Sequence, residues 1–385
     1  MEMKLKDICE QINDRISSDD VGLSDYVTTD CILQNKAGRT IATNLPPQKC
    51  NLTHYKKGDV LIANIRPYLK KIWFADSDGG CSSDVLAFRA KTNHTSEFLY
   101  AVLLQDSFYD YVMKATKGSK MPRGDINHIM NFPIISDKLN EAKIGKLITL
   151  IDKKIALNRE INRNLEELAK QIYDYWFVQF DFPNKEGKPY KTSGGKMVYN
   201  EILKREIPDG WEVKEIEDFC HIFTGKKDVN QSFDFGKYKF FSCAPGFRFS
   251  NEKLYEGKAI LISGNGSYTG RTIFVNDAFD LYQRTYAVVL KNNNTDFLEY
   301  IFHTAKRFLT LKVGGGTHGS AIPYIVYDDI AKERFLFSKE VIDKFQKIII
   351  PNLSEISKKE KEILELTALR DSLLPLLMNG QVTLK

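Results

Sequence analysis

This chain carries one pattern twice. Residues 1–178 and 213–379 share it at an offset of roughly 200. YKKGDVLIANIRPYLKKIWFAD (55–76) lies against YEGKAILISGNGSYTGRTIFVN (255–276), so that Leu61, Ile62, Tyr68 and Phe74 match Leu261, Ile262, Tyr268 and Phe274. Further matches are KGSKMP (117–122) with HGSAIP (318–323) and KDIC (6–9) with EDFC (217–220). Solenoid repeats run only about 20–50 residues, so a repeat this long is two whole domains. Two related domains on one chain imply two related tasks performed together.

With 385 residues the chain has room for two or three domains. Its 43% hydrophobic residues suffice for real cores, and 27% charged residues in a mixed sequence exclude a disordered or collagenous chain. A net charge of +5 is compatible with a nucleic-acid partner without requiring one. The six cysteines form no CxxC pair or zinc spacing and read as free thiols of a reducing compartment. No run of 18 apolar residues exists, and MEMKLKDICEQINDR lacks the apolar stretch of a signal peptide. A cytoplasmic protein with no membrane partner is expected.

The expected fold class is α+β. Residues 1–136 form a first mixed α/β domain, with strands at 59–65, 71–76 and 84–90 and a helix over 97–115. Residues 207–338 repeat that order. A long helix over 137–178, a connector over 179–206 and a second long helix with the C-terminal tail over 339–385 complete the chain. Residues 144–177 align without gaps on 345–378. In the first helix Ile144, Ile151, Asn158, Leu165 and Ile172 recur every seven residues, complemented by Ile148, Ile155, Asn162, Ala169 and Trp176. The second helix has Phe345, Asn352, Lys359, Leu366 and Leu373, with Ile349, Ile356, Ile363, Arg370 and Leu377. This is the 3.5-residue seam of a coiled coil. Asn158 and Asn162 either specify register inside the seam or face water at a bundle end. Pro351 is expected near a kink or at a late helix start. Each helix of some 34 residues spans about 51 Å. The two pack most simply on each other, and the connector allows either orientation. Antiparallel packing would place the globular units at opposite ends of a rod, related by a pseudo-two-fold axis.

The parts of an enzyme are missing from the sequence. Gly225-Lys226-Lys227 lacks the upstream glycine of a phosphate loop, and GNGSYTG (264–270) lacks dinucleotide-binding spacing and reads as a turn between strands. GGGTHG (314–319) is either a loop near phosphates or a plain flexible loop. In PDGWEVK (208–214) the carboxylates of Asp209 and Glu212 stand too close in sequence for a metal-dependent nuclease, and Trp211 reads as buried. The six histidines show no paired spacing, and neither a methyltransferase motif nor a GxSxG elbow occurs. No catalytic residue and no metal ligand is assigned.

Binding chemistry remains. Arg66, Tyr68, Lys70 and Lys71 lie in a turn between strands, where the second copy has Asn265, Ser267, Tyr268 and Arg271. Lys117, Ser119, Lys120 and Arg123 form a second cluster, paired with Thr317, His318, Ser320 and Tyr324. Such side chains contact phosphates and read base edges. A shared frame with divergent loops is what two different half-site readers of double-stranded DNA require. The competing reading is a non-catalytic coiled-coil adaptor or scaffold for protein partners, with incidental basic loops.

LNREINRNLEELAKQIYDYWFVQFDFPNKEGKPYKTSGGKMV (157–198), EIPDGWEVKEIEDFC (206–220) and LRDSLLPLLMNGQVTLK (369–385) together resemble the specificity (S) subunit of type I restriction-modification systems. The resemblance covers essentially the whole chain. It departs in one place: the first domain lacks an IPxGW opening and starts directly at MKLKDIC (3–9). The resemblance implies two target recognition domains that each read one half of a bipartite site, and an antiparallel coiled coil as the ruler between them. It further implies a non-catalytic chain that binds no cofactor and recruits two methyltransferase (M) subunits, with restriction (R) subunits in the full complex. S-adenosylmethionine, ATP and Mg²⁺ are then expected in those partners.

Overall fold

A computed structural model describes residues 2–116, 118, 120–135, 138–292, 296–314, 323–382 and 384. The chain folds as two compact units, residues 1–162 with 358–385, and residues 163–357.

In the first unit, strand Glu2–Lys4 pairs with Pro133–Ile135. The first domain therefore has its opening strand without an IPxGW motif. Cys9–Gln11, Val85–Ala90, Val60–Ala63 and Ile72–Phe74 form an antiparallel sheet in that order. Successive side chains of a strand point to opposite faces. Val60 and Ile62 thus join Phe88, Phe98, Leu99 and Leu103 in one core, while Leu61 joins Trp73, Val85 and Ala87 in another. A second sheet holds Arg15–Ser17, Asn51–Tyr55, Gly79–Cys81 and Tyr26–Val27, its last pair parallel.

The second unit keeps the order and joins the pieces. Its six-stranded sheet runs Cys220–Thr224, Thr285–Leu290, Tyr255–Ser263, Thr272–Leu281, Tyr238–Phe241 and Arg248–Ser250. Tyr255–Ser263 continues where the first unit breaks between Asn51–Tyr55 and Val60–Ala63. The break is a turn in which the Asp59 carboxylate accepts the Lys56 N–H (2.7 Å) and Gly58 takes φ 91°. Inward and outward residues again alternate: Ile260 and Ile262 pack with Leu298 and Ile301, whereas Ala259 and Leu261 pack with Leu281 and Val289.

Two helical expectations change. The helix expected over 97–115 is two helices, Ser96–Leu104 and Asp106–Met113, broken at an extended Gln105. In the second copy the helix Leu298–Gly314 runs through without such a break. Pro351 marks no late start, because the last helix spans Lys339–Met378. An interior proline costs about 3 kcal/mol. Burial of Phe345, Ile349 and Ile356 on either side offsets it, at roughly 1.5–3 kcal/mol per large apolar side chain.

The first long helix is Lys138–Tyr173, followed by one wide turn at Asp174–Val178. Within the first unit it lies against the last helix. Ile144 and Ile148 share a core with Leu374 and Leu377, Arg370 Nη1 meets Asp152 Oδ1 at 2.6 Å, and Lys154 meets Glu362 at 3.3 Å. Within the second unit Trp176 and Phe177 pack on Phe345. Of the seam residues, Ile148, Ile151, Ile155, Ile349 and Ile356 are buried, and Leu165, Ile172, Ile363, Leu366 and Leu373 are half-buried. Asn158 is fully buried and Asn162 is 8% exposed, so neither faces water. Residues 179–206 are packed rather than a loose tether. Phe180 and Phe182 are buried against Trp211, and Met197–Asn200 pairs with Arg205–Pro208.

Candidate nucleic-acid interface

Both units build the same turn at the same place. After Val60–Ala63, the Arg66 N–H donates to the Pro122 carbonyl (2.8 Å); after Tyr255–Ser263, the Gly266 N–H donates to the Pro323 carbonyl (3.3 Å). Ile65 bridges Arg123, and Asn265 bridges Tyr324. The Gly124 N–H donates to the Asn64 carbonyl, and the Ile325 N–H to the Gly264 carbonyl. The backbone is left-handed at Arg66 and Lys70 (φ 53° and 50°) and at Gly266 and Gly270 (φ 83° and 81°). Glycine adopts that conformation freely, whereas other residues carry roughly 1–2 kcal/mol of strain. The first copy holds two basic side chains in strained positions that the second copy gives to glycine.

The exposed residues of the turns differ in commitment. Tyr68 and Tyr268 occupy equivalent positions at 49% and 48% exposure. Arg66, Lys120 and Ser267 are exposed. Lys70 and Lys36 both donate to Asp106 at 2.8 Å, and Lys71 donates to the Thr29 carbonyl. Burial pushes the Asp106 carboxyl up, but those two lysines outweigh it and hold it below its ordinary value. Lys70 and Lys71 are therefore tied into the fold. Arg123 is held by Asp84 (2.8 Å), yet stays 58% exposed. Arg271 donates to the Ala244 carbonyl (3.3 Å), Asn265 is half-buried, and Tyr324 is 42% exposed. Lys117, Ser119, Thr317, His318 and Ser320 lie outside the described residues.

Next to the second turn is an open hollow of about 510 Å³ lined by Thr224, Gly264, Gln283, Arg284, Tyr286 and Tyr324. Another, of about 440 Å³, is lined by Glu217, Cys220, His221, Lys291 and Tyr327. In the latter hollow burial pushes the Cys220 thiol up to about 12, which keeps it protonated and unreactive at neutral pH. Among the described residues no group of three or more His, Cys, Asp or Glu is placed to hold a metal ion, and no helix is long and apolar enough to cross a membrane.

Residues 1–167 and 208–367 match the family model of the type I restriction modification DNA specificity domain. The chain belongs to that family. It is 24% identical to the type I restriction enzyme MjaIX specificity subunit of Methanocaldococcus jannaschii, over 90% of this chain and 82% of that one. It is also 24% identical to the HindI specificity subunit of Haemophilus influenzae, over 99% of each chain. The crystal structure of the S subunit of a type I restriction-modification system from M. genitalium shares the fold, with a TM-score of 0.62, 13% identity and coverage of 98% and 96%. The role of this specificity subunit is DNA sequence specificity in a type I restriction-modification system.

Sequence reasoning missed Thr224, Gln283 and Arg284. They stand at strand ends, outside the loops that drew attention. The offset of 200 carries the available signal: Arg284 falls opposite Asp84, a reversal of charge directly before strands that begin at Val85 and Thr285.

Proposed function

We propose that this specificity subunit reads an asymmetric bipartite site on double-stranded DNA, one half per recognition domain, and scaffolds two M subunits and the R subunits of a cytoplasmic complex. The observation that carries this reading is the twin turn. Its backbone hydrogen bonds repeat between the units, while its exposed chemistry changes from Arg66, Tyr68 and Arg123 to Ser267, Tyr268 and Tyr324. A repeated frame positions equivalent contacts on DNA, and different side chains select different bases.

The long helices serve as the spacer. Rising residue numbers on the first helix meet falling numbers on the last, from Ile144 with Leu377 to Lys154 with Glu362 in one unit and Trp176 with Phe345 in the other. That order supports an antiparallel coiled coil and an approximate two-fold relation, which offers equivalent faces to two M subunits. The chain itself binds no cofactor and does no chemistry. S-adenosylmethionine, ATP and Mg²⁺ act in the partner subunits.

The domain boundaries 1–136 and 207–338 give the test. Residues 1–136 are exchanged for the corresponding domain of a relative with a different target, and the modified sites are sequenced in cells carrying the complete system. One half of the site changes and the other stays. A change in both halves, or in neither, refutes the assignment of one half-site to each domain.

A further inference from the structure

Of the side chains lining the hollow beside the second turn, Arg284 is the one whose charge is uncommitted. Gln283 donates to Asp228 (3.2 Å) and the Tyr286 hydroxyl to the Ile325 carbonyl (3.2 Å). The Arg284 side chain is exposed and has no hydrogen bond or ion pair among the described residues. Its backbone, by contrast, is fixed. The Arg284 carbonyl accepts the Gly264 N–H (2.9 Å) and the Cys243 thiol (3.3 Å). Gly264 permits this close approach: a Cβ there would stand 2.5 Å from the Arg284 carbonyl oxygen and 2.9 Å from the Tyr286 ring.

The first unit has the same slot with its charges rearranged. Asn64 donates its N–H to the Asp84 carbonyl (2.8 Å), just as Gly264 does to Arg284. Across the slot stand the bridge residues Arg123 and Tyr324. In the first unit the acid Asp84 holds Arg123; in the second the arginine stands at the acid's position and faces the hollow with Tyr324. Each unit thus presents one guanidinium at this slot, from opposite sides of the same bridge.

We propose that Arg284 is the specificity-determining residue of the second recognition domain and reads a guanine in its half-site, as the counterpart of Arg123. The inference rests on the bipartite reading above. An arginine at a base edge forms a planar pair of hydrogen bonds to guanine O6 and N7. A guanidinium carried on a fixed backbone at the rim of a concave surface supplies that geometry, whereas a phosphate contact needs only a mobile charge.

The test uses the chain assembled with its M subunits, selecting bound duplexes from a randomised DNA library, for wild type, Arg284→Ala, Arg284→Lys and Arg123→Ala. Wild type enriches a two-part site with a G·C pair in one half. Arg284→Ala loses discrimination at that pair by about 5- to 150-fold and leaves the other half intact. Arg284→Lys retains more of the affinity than of the discrimination, and Arg123→Ala relaxes the opposite half. Unaltered base preference with uniformly weaker binding and a shallower salt dependence makes Arg284 a phosphate contact and overturns the proposal. Unchanged binding overturns it as well. A wild-type selection without a two-part site, or a substitution that alters both halves, instead refutes the bipartite reading and the proposal with it. Arg284 is exposed, so equal melting temperatures of the variants verify that folding is untouched.

Discussion

Replacing Arg370 by alanine should loosen the first unit, while transplanting the counterpart residues of the second unit should restore it. The Arg370 side chain is 3% exposed. It bonds Asp152 at 2.6 Å and Asp371 at 2.9 Å, and the free Asp152 oxygen accepts the Tyr100 hydroxyl (2.8 Å). Breaking a buried ion pair by removing one partner costs about 3–5 kcal/mol, because the other charge stays behind. Asp152 is 18% exposed and recovers some water, and Arg159, a neighbouring cation, loses a like charge. The lower limit therefore applies, about 3 kcal/mol. In the gapless helix alignment Asp152 corresponds to Leu353 and Arg370 to Ala169, which belong to one apolar cluster of the second unit. Replacing both partners of a buried pair by apolar residues is often neutral. The double variant Asp152→Leu/Arg370→Ala loses the acceptor of Tyr100 and the pair with Asp371, which is 40% exposed and adds little, together about 1 kcal/mol.

Two units need not unfold together, so a local measurement is required. Amide hydrogen exchange over residues 144–160 and 362–378 reads the affected segments directly. Exchange in Arg370→Ala accelerates about 100-fold, and in the double variant less than about 10-fold, by the tenfold-per-1.4-kcal/mol relation. A double variant as fast as Arg370→Ala, or faster, would refute the reasoning. The deficit would then lie in lost packing of the arginine side chain and not in an unpaired carboxylate.

Other outcomes follow from single residues. Burial lowers the His303 pKa from 6.5 to about 3, so the unfolded chain takes up a proton between those values that the folded second unit refuses. Stability from this source is intact above pH 6.5 and is lost as pH falls, by about 2 kcal/mol at pH 5. His303→Phe, set among Tyr173, Phe302 and Phe345, flattens that part of the pH–stability curve, which denaturant titrations at pH 5 and 7.5 would reveal. Gly266→Ala meets no atom within 4 Å but is forced to φ 83°, and costs about 1 kcal/mol of second-unit stability in thermal melts. Inserting seven residues into each long helix lengthens the spacer between half-sites and leaves the half-site sequences as they were; modification mapping that finds the old spacer would exclude the helices as the ruler.

The parts of this molecule that could be read in advance are those whose partners share their residue type. Leu61 with Leu261 and Ile62 with Ile262 are apolar in both copies because both line a core, and the seven-residue spacing of the helices names its own buried stripe. Asn158 and Asn162 obeyed that spacing against their polarity, and the spacing won. Charged residues behave otherwise, because their state depends on a partner far away in sequence. Lys70 and Lys71 look like free loop cations until Asp106 and the Thr29 carbonyl are brought to them, from 36 and 42 residues away. The break at Gln105 belongs to the same problem: it starts a helix at Asp106, the residue that both Lys36 and Lys70 use. On the proposed reading, the DNA-facing chemistry is the difference between the basic residues present and those the fold consumes. By that subtraction Lys70 and Lys71 drop out and Arg284 comes in. On that reading Arg123 and Arg284 present their guanidinium groups from opposite sides of equivalent bridges.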